Sequence, residues 1–527
     1  MGQIQKSIKI NLSDLRVSLF LFTLLAVFGL YHIFRVPLWY DEAITLLQLS
    51  GIGSPSWGVG LIRVEEFKAL LNSTATFSNL IQGLYYGDVH PPLYYSVALL
   101  FKHVLPADVG YVRIISLVSI LLSCYFLMNM RDKKNSANSA LFIFTICCVF
   151  YFSPIIQWAA INARGYSLAI LLVTITLACS VKSISPGVTK TQPSRYILLA
   201  CISAGLAFWT HYFTILVTLP LISAILFNMI IEKRKIEIFP LLVLFVMMSL
   251  MLPFLAQQIG ARPNQMAGFS SMFNEATYLL RYVLTVLFEH HRNVVIGLSQ
   301  ILIMTFLIAT YCVDSFKTKS LKAKKVCLLM CFVCLSFFVG LLFLFFVTDK
   351  TLKGASTYRY ISFLVPILAF MVAQGVLVLY RWQKKTAIFV CAFLIGNTFL
   401  SWHDMAIDLM PWKDKKNISF ALQVKDKYKA SEVCFILPKG FGRGQQGKWV
   451  SLLSSENKMQ VMSTHDDYRL DTNFIAECSF VYVLSDETKL LNSAVENFVA
   501  LLSNNKNYRH IQNKFDDSNL PAWIFVK

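Results

Sequence analysis

Uncharged apolar runs of 18 or more residues recur through the first three-quarters of the chain, separated by short polar stretches. Wound as a helix, each run is long enough to cross about 30 Å of hydrocarbon. The runs are continuous rather than alternating, so helices and not barrel strands are the spanning element. About eleven spans are predicted, near residues 17–35, 111–130, 139–157, 165–181, 196–212, 213–231, 237–256, 294–313, 326–348, 360–380 and 386–402. The first run, Val17 to Phe34, follows Lys6, Lys9 and Arg16 as a signal peptide would. It lacks a small-x-small cleavage site and is read as an uncleaved span.

Basic clusters follow every second span: Arg131 to Lys134, Lys182 to Arg195, Lys233 to Lys235, Lys317 to Lys325 and Arg381 to Lys385. With the basic N-terminus they fall on one side, which the positive-inside rule assigns to the cytoplasm. Segment 36–110, the loop near 257–293, the loop 349–358 and the C-terminal tail are then outside. The apolar run Pro91 to Leu105 is short, contains Lys102, and would invert every later cluster if it crossed. It is expected to lie in the outer interface as an amphipathic helix, and Ala276 to Phe288 is read the same way. From about Trp412 the composition is that of a soluble domain. Short β-rich runs (Glu432 to Leu437, Ser479 to Leu484, Ala522 to Val526) alternate there with helical stretches such as Gly447 to Ser455 and Thr488 to Ser503. The expected architecture is an α-helical polytopic membrane domain over 1–405, with 36–110 as its first outer loop. A small α/β extracytoplasmic domain over 406–527 completes it.

Composition agrees with this pattern. Hydrophobic residues make up 56% and charged residues 15% of the chain, against about 25% charged in soluble proteins. The net charge of +19 resides in the clusters between spans, so it reports orientation rather than nucleic acid. No basic stripe interleaved with aromatics tracks a polynucleotide. Ten of the twelve cysteines lie in or beside apolar runs, where cysteine acts as a small packing residue. No sequence spacing suggests zinc. Cys434 and Cys478 fall in the outer tail, where a disulfide and two buried thiols are both open readings.

The centres of the spans contain no Asp, Glu or Lys, unlike an ion-coupled transporter. Acids gather instead in outer loops near span ends. Trp39-Tyr40-Asp41-Glu42 is the densest group. Solvated acids after an aromatic belt are the plain reading. A carboxylate held against lipid can also act as general base toward a sugar hydroxyl, or the pair can hold a divalent cation. Asp88-Val89-His90-Pro91-Pro92-Leu93-Tyr94-Tyr95 opens the interfacial helix, with proline at its start. Arg164-Gly165-Tyr166 and Tyr358-Arg359-Tyr360 place outer basic residues against the positive-inside bias, with Lys350 and Lys353 nearby. Headgroup anchoring is one explanation. A lipid-borne phosphate, which a guanidinium grips with a fork of charged donors, is the sharper one. His211 and Tyr212 end a span on the same face, although a histidine there more often packs than binds.

Taken in order, these motifs resemble the GT-C class of membrane glycosyltransferases, over about residues 15–405. The members most similar are bacterial enzymes akin to protein O-mannosyltransferases and lipid A aminoarabinose transferases. The resemblance implies a polyprenyl-phosphate-sugar donor, inversion at the anomeric carbon, and action on the periplasmic face of a bacterial inner membrane. It implies that Asp41 is catalytic with Glu42 assisting, and that Asp88 and His90 line the donor or acceptor side. Arg359, with Tyr360, is expected to meet the carrier phosphate, and Arg164, Tyr166 and His211 are weaker correspondences. The aminoarabinose transferases have lysine where this chain has His90, so acceptor and phosphate contacts need not coincide. Catalysis with so good a leaving group needs a base and cations, and no nucleotide-binding glycine loop is required. An O-antigen ligase or polymerase is the alternative within enzymes, and a lipid or glycan flippase the alternative without chemistry. The partners implied are the bilayer, the lipid-linked donor, and a glycan, lipid or protein acceptor.

The alternation of basic clusters yields one direct expectation. A reporter active only outside the cytoplasm should be active when fused after Lys527 and silent when fused at Lys385, and the reverse pair of results would overturn the eleven-span order.

Overall fold

The computed structural model describes residues 12–34, 40–51, 60–87, 90–105, 109–131, 136–184, 192–234, 237–260, 294–348 and 359–408, and five strands beyond them. The chain divides into two compact units. One comprises Met1–Arg35, Val89–Tyr94 and Val112–Leu409, and the other Val36–Asp88, Tyr95–Tyr111 and Met410–Lys527.

The first unit is helical. Its elements are α1 (Leu12–Ile33), most of α6 (Val109–Met128), α7 (Ser136–Ile146), α8 (Pro154–Ile161), α9 (Tyr166–Ile184), α10 (Gln192–Thr210), α11 (Ile215–Ile231), α12 (Ile238–Gly260), α13 (Val294–Lys317), α14 (Leu321–Thr348), α15 (Val365–Trp382) and α16 (Lys384–Asp408). Among the described residues seven helices are long and apolar enough to cross a membrane, or eight if one bent pair forms a single span. The protein is therefore a multi-pass membrane protein. Its outward faces carry Phe245, Leu250, Leu335 and Phe389, all exposed, as contact with lipid tails requires.

Two helices form the interior. The apolar stretch of α9 is 83% buried and the one leading into α15 is 89% buried, whereas α12 is only 17% buried. Helix α15 packs against α7, α13 and α16, and α9 against α10 and α11. Lipid is as apolar as leucine, so close packing rather than hydrophobicity holds such helices together. Gly375 makes the contact between α13 and α15 close: a methyl group there would stand 2.2 Å from the carbonyl oxygen of Leu307.

The span expected over 139–157 is broken. After α7 a single wide turn, Cys147–Tyr151, precedes α8, and the two limbs meet at 69°. Pro154 is the cause, because it occupies the first turn of α8 and has no N–H to continue the preceding helix. Ser153 before it is extended, as a residue preceding proline prefers. The Tyr151 carbonyl left over at the break accepts a hydrogen bond from Gln157 Nε2. Arg113, 1% exposed, does the same for the end of α1, donating to the Ile33 carbonyl at 2.9 Å.

The second unit contains α2 (Tyr40–Leu49), β1 (Gly60–Arg63), α3 (Val64–Asn72), α4 (Phe77–Gly87) and most of α5 (Leu93–Val104), the helix predicted over Pro91 to Leu105. Lys102 on α5 does not reach solvent as an interfacial lysine would. It is 5% exposed and donates to Ser50 Oγ at 3.0 Å and to the Leu71 carbonyl at 2.9 Å, tying the ends of α2 and α3 together. Burial pushes its pKa down to about 8. Gly51, at φ +74°, closes α2 in the left-handed conformation that glycine adopts freely.

Strands β2 (Val433–Pro438), β4 (Phe480–Leu484) and β6 (Ala522–Val526) form where the β-rich runs predict them, joined by β3 (Lys458–Met462) and β5 (Arg509–Ile511). The six-stranded sheet has the order β1-β3-β2-β4-β6-β5. Strand β2 is parallel to both β3 and β4, and the outer pairings are antiparallel. Its first edge is β1, from far earlier in the chain, with Gly60 opposite Val461 and Arg63 opposite Lys458. The helices expected at Gly447 to Ser455, Thr488 to Ser503 and Ala276 to Phe288 lie outside the described residues, as does Cys478.

The close crossing of α13 and α15 is open to a stability test. Gly375→Ala must push two backbones apart, because the atom in the way is a main-chain carbonyl. It should cost about 1–3 kcal/mol, read as an earlier thermal transition in detergent, while Gly396→Ala, with open space around it, should leave the transition in place.

Candidate functional site

Three interruptions of helical structure supply the side chains of the first unit's polar centre. The first follows α8, where Asn162 is extended and the chain turns through Ala163, Arg164 and Gly165 into α9. Gly165 is needed there: an added methyl would sit 3.3 Å from both the Thr210 carbonyl oxygen and Tyr94 Cβ. The turn buries Arg164 and Tyr166, at 4% and 2% exposure.

The second interruption separates α10 from α11. His211 is extended, and its Nδ1 accepts the backbone N–H of Phe213 at 3.4 Å. Thr214 Oγ1 donates to the His211 carbonyl at 2.8 Å. That acceptor role occupies the Nδ1 lone pair and leaves Nε2 as the other polar atom of the ring. The third lies before α15, where Arg359 and Tyr360 open a short turn and Ser362 Oγ donates back to the Arg359 carbonyl at 2.5 Å. Tyr358, Lys350 and Lys353 lie outside the described residues.

These segments meet around His211. Its ring centroid stands 6.0 Å from His90, 5.1 Å from Tyr166, 5.5 Å from Tyr360 and 4.9 Å from Phe363. Phe213 stacks on Tyr360 at 4.2 Å. The Arg359 guanidinium lies over Trp158, 5.8 Å from the ring centroid, and Trp158 in turn packs on Tyr166 at 5.2 Å. His90, Arg164 and Arg359 all lie close enough to the His211 imidazole to act on it electrostatically. The structure thus brings together six of the residues singled out from sequence: His90, Arg164, Tyr166, His211, Arg359 and Tyr360. Chemically the cluster offers forked cationic donors within an aromatic wall, a combination suited to an anion at the edge of an apolar phase.

Sequence reading missed Gln258, Trp158, Phe213 and Phe363. Gln258, in the last turn of α12, accepts from Tyr212 OH at 2.9 Å and donates to the His90 carbonyl at 3.2 Å. Its 4% exposure marks it, but burial is a property of the packed helices and leaves no signal in the sequence. The aromatic residues are likewise unmarked among many others in the chain.

Asp41 and Glu42 belong to the second unit, in the first turn of α2, where carboxylates favour the positive end of the helix dipole. They are not solvated acids: Asp41 is 7% and Glu42 0% exposed, and both engage other groups. Thr45 Oγ1 donates to the Asp41 carbonyl at 3.2 Å, which steadies that first turn. Asp88 lies outside the described residues.

No family model matches the sequence, and no curated protein matches it. Solved structures do. The apo crystal structure of ArnT from Cupriavidus metallidurans superposes with a TM-score of 0.53 and 11% identity, covering 96% of this chain and 97% of that one. ArnT from Cupriavidus metallidurans bound to undecaprenyl phosphate gives a TM-score of 0.52, with the same identity and coverage. At that identity the likeness is one of fold. Over nearly the whole length of both chains, this protein shares the fold of ArnT from Cupriavidus metallidurans.

Proposed function

We propose that the protein is an inverting glycosyltransferase that moves a sugar from a polyprenyl-phosphate carrier to an envelope glycan, lipid or protein on the periplasmic face of a bacterial inner membrane. The observation that carries this reading is the meeting of Arg164, His211 and Arg359, from three helix interruptions, with His90, from the segment before α5, within an aromatic wall. A lipid phosphate is the anion that needs cations at an apolar boundary. The undecaprenyl phosphate bound to the structurally similar ArnT supports the same class of donor. In this reading eleven spans carry the chain to an outer C-terminal domain over 406–527.

In the reaction, a carboxylate takes the proton of the acceptor hydroxyl as its oxygen attacks the anomeric carbon from the face opposite the phosphate. The carbon–oxygen bond to phosphate breaks, polyprenyl phosphate leaves with the electron pair, and the configuration inverts. Asp41 is assigned the base and Glu42 its assistant; both are buried in one helical turn, which holds a carboxylate in a fixed direction. The pair also suits a divalent cation, should the reaction use one. Arg359 is assigned to the departing phosphate, where a fork of charged donors counts most. His90, Arg164, Tyr166, His211 and Tyr360 line the donor side, and Asp88 is assigned to acceptor or donor contact.

Purified protein incubated with a radiolabelled polyprenyl-phosphate sugar should release free polyprenyl phosphate, which a flippase would not do. Arg359→Lys keeps the charge and loses the fork. At about 1.5–3 kcal/mol for a charge-assisted hydrogen bond, donor affinity should fall roughly tenfold or more. Unchanged donor dependence in both Arg359→Lys and Arg359→Ala would reduce Arg359 to an anchor.

Asp41→Asn preserves shape and removes basicity. Transfer to a hydroxyl acceptor should drop by about a hundredfold to ten-thousandfold, with donor binding nearly intact. Wild-type turnover in that variant would remove Asp41 from the chemistry.

A further inference from the structure

Away from the polar centre, three cysteines converge between α13 and α14. Cys327 and Cys331 are four residues apart and share one face of α14, and Cys312 faces them from α13. Their sulfurs all lie within 4.8 Å of one another, and Cys312 and Cys331 are 3.8 Å apart. Cys327 is buried and the other two are half-buried. Among the described residues this is the one group of three or more such ligands that comes together.

We propose that Cys312, Cys327 and Cys331 form a binding site for a thiophilic divalent cation of zinc-like chemistry. Sulfurs sharing one zinc at about 2.3 Å stand roughly 3.8–4 Å apart, so the side chains are already spaced for a common ion. A disulfide would need its two sulfurs at about 2.05 Å. Binding expels the three thiol protons, and a divalent ion then leaves one net negative charge. The helix ends nearby carry Lys317, Lys319, Lys322 and Lys324, which offset it; Cys312 and Cys327 are within two turns of that loop. Water can take the fourth position of a tetrahedral site.

The ion staples α13 to α14. Helix α13 is in turn held against α15 at Leu307 and Gly375, and by Tyr311 packed edge-on against Phe370 at 6.5 Å. Helix α15 continues from the turn that carries Arg359, Tyr360 and Phe363, so the site serves as a structural clasp on the helix behind the polar centre.

The full chain, purified in detergent under reducing conditions and titrated with cadmium, should take up one ion. Ultraviolet thiolate-to-cadmium charge transfer should appear, and the thermal transition should rise. Cys312→Ser and Cys331→Ser should lose the band, and Cys334→Ser, outside the cluster, should retain it. Alkylation mapped by mass spectrometry on the wild-type protein needs no variant: cadmium or zinc should protect Cys312, Cys327 and Cys331 and leave Cys334 unchanged. Absence of uptake by the reduced wild type, or a band that survives in Cys312→Ser/Cys331→Ser, overturns the proposal. So does a reduced protein that binds no ion but joins Cys312 to Cys331 on exposure to air, which would identify a redox pair instead.

Discussion

In hydrocarbon a backbone carbonyl can accept only from the protein itself, and each helix end or break away from water must therefore be met by a side chain. Arg113 reaches the last carbonyl of α1. Gln157 takes the carbonyl freed where Pro154 stops the preceding helix. Gln258 takes the His90 carbonyl, and in the second unit Lys102 takes that of Leu71. Leaving any one of them unmet would cost about 1–3 kcal/mol. Arg113, Gln258 and Lys102 come from distant parts of the chain, so their contacts also join segments that helix propensity alone would leave independent.

The same interruptions that create this demand make room for chemistry. A continuous apolar helix presents no usable polar group, so function has to sit where helices start, stop or bend. Arg164 stands at the entry to α9, His211 between α10 and α11, and Arg359 just before α15. Two of these turns feed directly into α9 and α15, the helices most enclosed by their neighbours. Groups that must keep a fixed direction are thus mounted on the parts of the bundle least able to shift. Aromatic rings complete the arrangement: Trp158, Tyr166, Tyr360 and Phe363 surround the cations with apolar surface, where an anion, if bound, would be held more strongly than in water.

Much of this was legible from one dimension. Helices occur at each of the predicted spans, because length and continuity of apolar residues are local properties that survive whatever the neighbours do. Three strands of the sheet were legible for a similar reason. Six of the polar candidates proved to be neighbours, and all six stand where apolar runs begin or end, which the sequence displays. Other features had no local signature. Gln258 is neutral and hidden inside an apolar run, and Trp158 is one aromatic among many. Strand β1 is four residues long and becomes a strand only by pairing with β3.

The corrections have a common cause. Of the two readings open for Asp41 and Glu42, solvated acids or carboxylates held out of water, burial excludes the first; Lys102, expected on an interfacial helix, is buried too and joins the ends of two helices. The cysteines at 312, 327 and 331 keep their packing role, and two helices folded against each other also set their sulfurs together, which no sequence spacing showed. The sequence by itself determined that this chain is a bundle of membrane helices, and which polar residues mark its ends, because hydropathy and charge act along the chain. Tertiary structure alone decided which of those ends meet and which charges are enclosed. Burial and side-chain distance are properties of the packed helices, and they depend on residues too far apart in sequence for any local pattern to record.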